Sequence, residues 1–418
     1  MKGWLVNLLL GALLLIGAIW LNWDDEQRQE LRLQEEASRR LTPWNASELS
    51  RLVFTDAQGH GVTVERRDAN WQLTRPLSAV ADPEAVRRLA ALAEAHYDRE
   101  VAPAGAALDD FGLGGTPPRL ELHTADNQTR TLILGGDTPV GGRRYVKWDP
   151  AGSVVTLPRR DVLALDMASS DLRDRTLFPG TRSADVQTVI RSHGDETLTL
   201  LREGDGWRLA APMEERADSL RTDSWLGLLL SSRGRGFRSQ APTGSPAWSL
   251  TLRLEGKSLD PLKIWQDGES LLVQRPGETD WLELDARELA GELDKSFLDL
   301  VDTRPLGRDA APTRLTLASG ERRVEARRGA SGWPDAAWDS LAQLLDGPAW
   351  QALRPEHPKP TPRWTLTTGE PGAEHTLSLA QDERGVLIMP PQRWVWLLWS
   401  EFQTQRFVEL TEKLLGTP

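Results

Sequence analysis

The chain predicts an α+β fold: an N-terminal transmembrane helix and helical stalk, then three tandem units of antiparallel β-meanders, each with one or two helices. Three observations predict it. One long apolar run, Trp4–Leu21, opens the chain. The remainder reads as a soluble body, within a chain that is 39% hydrophobic and 27% charged. In that body, short alternating runs separated by turn residues recur in one order three times. The boundaries implied are an anchor over 1–23, a stalk over 24–44, and units over 45–180, 181–308 and 309–418, the last shorter.

The apolar run spans about 27 Å as a helix, close to the ~30 Å hydrocarbon core of a bilayer. Trp4, Leu5, Leu8, Leu9, Leu10, Leu13, Leu14, Leu15, Ile16, Ile19 and Trp20 would face lipid, and Asn7 alone interrupts them. Trp4 at one end, with Trp20 and Trp23 at the other, suits the two interfaces. A cleaved signal peptide needs small residues near its end, where this chain has Ile19-Trp20-Leu21. Lys2 precedes the run and Asp24-Asp25-Glu26 follow it. The positive-inside rule therefore keeps the amino terminus in the cytoplasm and exports the body.

Asp24–Arg40 lacks Gly and Pro and is rich in Glu, Gln and Arg, which predicts a solvated helix. Glu35–Arg39 and Glu36–Arg40 are spaced i,i+4 in the favourable order. Thr42-Pro43 ends it.

The first unit opens with runs at Ser50–Asp56, Gly61–Arg67 and Asn70–Pro76, a three-strand meander. Asp82-Pro83 caps a helix bearing Val86, Leu89 and Ala93 on one face. Strands follow at Arg119–His123, Arg130–Leu134, Arg144–Trp148 and Ser153–Pro158, then a short helix at Arg159–Leu165. The second unit repeats the order with Val186–Arg191, Thr197–Arg202, Gly206–Pro212, a helix near Asp218–Leu230, Trp248–Leu254, and Trp281–Leu284 leading into a helix ending at Leu293. In the third, a hairpin at Arg314–Ala326 precedes Gly332-Trp333-Pro334, where the third strand has collapsed to a Trp-Pro pair. A helix carrying Trp338, Leu341 and Leu345, a strand at Arg363–Thr367, and Arg393–Trp396 running into a helix at Leu397–Phe402 complete it.

The net charge of −11 disfavours nucleic acid as a partner, since phosphate contacts need basic surface. The absence of cysteine leaves no disulfides, thiol nucleophiles or thiolate metal sites. Tryptophan is abundant, 18 against 2 Tyr and 7 Phe, which raises glycan stacking. Trp71, Trp207 and Trp333 recur at matched places, as do Trp248 and Trp364, and such repetition predicts packing. Trp394, Trp396 and Trp399 are denser than packing requires and form the candidate exposed interaction surface.

No catalytic, cofactor-binding or metal-ligating residue is predicted. The six histidines include no i,i+3 or i,i+4 pair. Gly112-Leu113-Gly114-Gly115 lacks the Gly-Lys-Ser/Thr ending of a phosphate loop and precedes a strand, so it predicts a turn. There is no G-x-S-x-G elbow and no S-x-x-K.

The opening apolar helix, the Trp-x-Leu…Pro strand before the Asp82-Pro83 helix, Phe111-Gly112-Leu113 before Pro117-Pro118, Tyr145-Val146, and Leu172-Arg173-Asp174-Arg175 together resemble a bacterial domain family of unknown function. The resemblance covers nearly the whole chain and is strongest over residues 1–180. It implies a single-pass protein of the cytoplasmic membrane with an extracytoplasmic body. It further implies association with ABC-type transporters of the gliding-motility auxiliary kind, and no catalytic residues. The function expected is a non-catalytic accessory or scaffold subunit of such a transport or envelope-remodelling complex. The alternatives are a Trp-based glycan or peptidoglycan binding module and, further off, a carboxylate-based hydrolase. The partner and any small-molecule ligand stay unidentified at this level.

Overall fold

The computed structural model describes residues 39–416 except 69, 104, 106, 150–151, 308–311, 356–358, 371–373 and 391. The anchor Trp4–Leu21 and the stalk through residue 38 lie outside the described residues; among those described, no helix is long and apolar enough to cross a membrane. The fold is α+β, built on three antiparallel sheets with few helices. The chain forms two compact units, one ending at Asp174 and the other starting at Arg175.

The first unit holds β1 (Leu49–Thr55), β2 (Gly61–Arg67), β3 (Asn70–Arg75), β4 (Ala79–Val80), β5 (Arg99–Ala102), β6 (Arg119–Thr124), β7 (Thr129–Asp137), β8 (Arg143–Asp149) and β9 (Val154–Pro158). They make one sheet in the order β4-β3-β2-β1-β6-β7-β8-β9-β5. Alternate residues such as Leu52, Phe54, Val62, Val64, Leu120 and Leu122 turn to one core. Helix α1 (Pro83–Ala90) covers it with Val86 and Leu89, and the short α2 (Arg159–Val162) adds Val162. The α1 start is as its residues dictate: the Asp82 carboxylate accepts from the Glu84 and Ala85 amides at 2.9 Å, and Pro83 fills the first turn.

The predicted stalk helix does not extend to Arg40. Arg40 forms a β-bridge with His96, and Leu41 N–H donates to Ala95 O. The physical reason is burial: Leu41 is fully enclosed, and the Thr42 hydroxyl donates to Ala93 O at 2.7 Å. The edge strands β4 and β5 went unpredicted, since two and four residues carry too little alternation to read.

The second unit begins with β10 (Val186–His193), β11 (Glu196–Glu203), β12 (Gly206–Ala211), β13 (Glu215–Arg216), β14 (Gly236–Arg238), β15 (Trp248–Leu254), β16 (Lys257–Ser258), β17 (Leu262–Asp267), β18 (Ser270–Gln274) and β19 (Trp281–Asp285). Their order, β13-β12-β11-β10-β15-β17-β18-β19-β14, repeats that of the first sheet, with β16 paired to β15. Helices α3 (Ser219–Ser231), α4 (Ala286–Leu293) and α5 (Phe297–Leu300) accompany it. The third sheet has β20 (Arg314–Ser319), β21 (Arg322–Arg327), β22 (Gln351–Leu353), β23 (Trp364–Thr368), β24 (His375–Asp382), β25 (Gly385–Met389) and β26 (Trp396–Leu398), with helices α6 (Ala336–Asp346) and α7 (Glu401–Leu415). Its order is β21-β20-β23-β24-β25-β26-β22. The second and third sheets share a single hydrophobic core. The expected helix at Leu397–Phe402 is displaced: Trp396–Leu398 is a strand, and α7 starts only after Ser400, whose hydroxyl accepts from Gln403 N–H.

The repetition reaches individual hydrogen bonds. In the first unit Ala81 N–H donates to Trp71 O, Asp82 N–H to Leu172 O and Asp174 N–H to Val80 O. In the second, Ala217 N–H donates to Trp207 O, Asp218 N–H to Leu300 O and Asp302 N–H to Arg216 O. Both third strands end at a cis proline, Pro76 and Pro212. Both first strands carry a bulge after their first residue, at Leu49/Arg51 and Val186/Thr188. An arginine lies over the tryptophan that opens each third strand, Arg66 over Trp71 and Arg202 over Trp207.

Candidate interaction site

Within the second unit, a cavity of about 600 Å³ opens between the edge of the second sheet and the third. Glu214, Glu215 and Arg216 line it from one side, Thr368, His375 and Leu377 from the other, and Pro305, Leu306, Gln392 and Arg393 close it. At its base is a buried ion pair. Arg393 Nε donates to Glu215 Oε1 at 2.8 Å, and the side chains are 7% and 3% exposed. The guanidinium donates further to Arg304 O at 3.2 Å and Asp302 O at 2.6 Å. Glu215 accepts in addition from the Arg216 and Trp394 amides. Burial pushes the Arg393 guanidinium below its ordinary value, and Glu215 opposes that shift. The described partners of both groups lie within the protein, so the pair works as a clamp between β13, the segment 302–304 and the loop before β26.

The three predicted surface tryptophans follow Arg393 in the chain. Trp394 is 61% exposed beside Arg393. Trp396 and Trp399 are buried, which corrects the expectation of one exposed cluster. The reason is strand alternation along β26. Trp396 turns to a small cluster with Ala380 and Met389, while Leu397 and Trp399 enter the main core. There Trp399 lies 5.0 Å from the Phe407 ring, which stands edge-on to Trp364 at 5.2 Å.

The repeated tryptophans pack. Trp207, Trp248 and Trp364 are buried, and Trp71 and Trp333 are half-buried against the cores. The indole N–H of Trp207 donates to Asp223 at 2.8 Å, and that of Trp248 to Asp294 at 2.9 Å.

A second feature was missed. Leu220, Leu228 and Trp350 are exposed, at 74%, 39% and 66%. They share a groove of about 570 Å³ with Trp225 and Leu298, rimmed by Arg221, Glu292, Lys295 and Asp299. A signal existed in the sequence. In helix α3, SLRTDSWLGLLLS, the second half Trp225–Leu230 carries apolar residues on every side, unlike the two-faced α1, and Leu220 stands where α1 has Glu84.

The remaining candidates resolve as structure. Among the described residues no three His, Asp or Glu side chains form a metal-holding group, and His357 lies outside them. Gly112 is left-handed, φ 66°, and ends a 3-10 turn. A Cβ there would fall 2.7 Å from Gly136 N, and one at Gly135 would fall 2.5 Å from Phe111 O. The two glycine runs are pressed against each other, leaving no phosphate cradle. Asp56 is a buried carboxylate that accepts from the Gln58, His60 and Ser169 amides at 2.9–3.0 Å. Burial raises its pKa, but the Ser169, His60 and Gln58 amides outweigh that and hold the carboxyl below its ordinary value.

No curated protein matches this chain. Residues 71–247, from the third strand of the first sheet to the residue before Trp248, match the model of a domain of unknown function, DUF4340.

Proposed function

We propose that the chain is a non-catalytic, membrane-anchored envelope protein whose sheets serve as a scaffold for a membrane complex. The observation that carries this reading is the groove at Leu220, Leu228 and Trp350, because contiguous exposed apolar side chains mark partner sites. The Trp4–Leu21 run supports a single pass through the cytoplasmic membrane, amino terminus inside and body outside. The sequence resemblance supports ABC-type transporter components as the partner, and the threefold repeat of the strand order in the sequence supports a division of the body into units at 45–180, 181–308 and 309–418. Crosslinking in intact membranes, followed by capture of the full chain, tests this. Recovery with transporter components, reduced by Trp350→Ser, is expected. Recovery of the protein alone sinks the transporter reading.

A second reading rests on the exposed indoles of Trp350 and Trp394. It makes the protein a binder of envelope glycans through stacking. Tryptophan fluorescence titrated with peptidoglycan fragments should shift in the native chain and not in the Trp350→Ser, Trp394→Ser variant. An unchanged native spectrum removes this reading.

A further inference from the structure

In the first two sheets the second strand is covered on its outer side. β2 pairs with β3 and β11 with β12. In the third sheet the equivalent strand, β21, is the last one. The covering strand starts there and stops. Gly332 bridges to Gly329, as Gly206 pairs with Glu203 and Asn70 with Arg67, and Trp333 follows where Trp207 and Trp71 do. The next residue is Pro334, which has no N–H to give a ladder, and the chain leaves for α6.

The other sheet edges are blunted. The strands β4, β5, β13, β14 and β22 have two, four, two, three and three residues, whereas β21 has six. The register identifies which groups face outward. Ser319–Arg322, Leu317–Val324 and Leu315–Ala326 are partners, and Arg328 N–H donates to Thr313 O in the same series. Alternate residues bond to β20, so the main-chain N–H and C=O of Arg323, Glu325 and Arg327 point away from it. Among the described residues no strand meets them.

The side chains give this edge a sign. Arg323, Arg327 and Arg328 are exposed along it. The single acid of the strand, Glu325, accepts from Arg314, whose Nε and Nη2 donate at 2.7 and 2.8 Å, and lies 3.8 Å from Arg327 Nε, so arginine stays in excess along the edge. Its carboxyl is held below the ordinary value, first by that hydrogen bond and also by the charges of Arg327 and Arg323.

We propose that β21 accepts a strand from a partner protein, an extended segment alternating acidic and apolar residues, laid antiparallel along Arg323–Arg327. Main-chain bonds supply the attachment, as β3 and β12 do within the other sheets. Acidic side chains fall beside Arg323 and Arg327 on one face, and apolar ones fall beside half-buried Val324 on the other. In the register centred on Glu325, a second copy of the same edge sets Arg323 against Arg327, which disfavours it as the occupant there.

The probe is a short fluorescent peptide alternating glutamate and valine, titrated into the full chain and read by anisotropy, with amide exchange followed at Arg323, Glu325 and Arg327. Saturable binding that slows exchange at those amides is expected. Arg323→Pro removes one outward N–H and leaves the β20 ladder intact, so it should weaken binding on the order of tenfold or more. Arg327→Glu should weaken the acidic peptide and favour its lysine counterpart. The proposal is overturned if the acidic peptide does not bind, or if the lysine peptide binds the native chain equally well. It is also overturned if Arg323→Pro retains the native circular dichroism and the native affinity. Self-association of the chain abolished by Arg327→Glu, with no peptide binding, makes a second copy the occupant and overturns it as well.

Discussion

β1 and β10 occupy the same place in their sheets, and their far ends are tied down by opposite charges. At the end of β1, Asp56 accepts the amide of Ser169, at the start of a 3-10 turn. Near the end of β10, Arg191 donates to Lys295 O, just before α5, and His193 lies 3.2 Å from Asp294. Asp56 and Arg191 are both almost fully buried. A carboxylate facing amide donors and a guanidinium facing a carbonyl acceptor perform one structural task, fastening a strand to the segment that closes its unit. What the repeat keeps is backbone geometry, and the side chain is chosen by which end of the peptide group it meets.

The sharpest break in that comparison is at Glu215. The first unit has Ala79 at the matching position of its short edge strand, with nothing for an arginine to pair with. Glu215→Gln or Arg393→Met alone should cost about 3–5 kcal/mol, read by urea denaturation, because each strands a buried charge or its donors. Replacing both together with apolar residues should cost much less. Equal losses in the single and double variants would mean that packing, not charge, fastens the junction.

Asp56→Asn should cost about 1–3 kcal/mol, since it weakens a carboxylate that serves three amides. Its pH dependence has a definite sign. The folded pKa is depressed, so the stabilisation is complete above the unfolded value near ~3.9 and fades as pH falls through the folded value. The native first unit should lose stability on acidification below about pH 4, and the Asn variant should lose less over that window.

Smaller again are the helix caps. Asp82 receives two amides and Asp218 one, so Asp82→Ala should cost about 1 kcal/mol and Asp218→Ala somewhat less by thermal unfolding. Trp350→Ser should alter stability by under about 0.5 kcal/mol, because the ring is mostly in solvent. A larger loss would show that Trp350 supports the fold.

What was legible in advance follows the physics of each signal. The strands Gly61–Arg67, Asn70–Arg75 and Trp248–Leu254 alternate over five or more residues, and the Asp82-Pro83 cap is a local chemical mark, so both could be read directly. β17, β24 and β25 were unread. β25, GVLIM, is buried at every residue and so has no period of two. The clamp was illegible, because Glu215 and Arg393 stand 178 residues apart and only the fold joins them. Density of tryptophan in the sequence at 394–399 is not density on the surface. Trp396 and Trp399 fall on opposite sides of one short strand and its continuation, and each finds an interior there.

The clamp has a consequence for how many sheets such a chain can join. In the second sheet, the third strand, the turn after Pro212 and the two residues of β13 together make a socket, and the loop carrying Arg393 is the plug of the next copy. The third sheet lost its third strand at Pro334, and with it the turn that would carry another Glu215. It has a plug and no socket. Among the described residues, Pro334 thus leaves the third sheet without the strand and turn that, in the second sheet, hold the socket for Arg393.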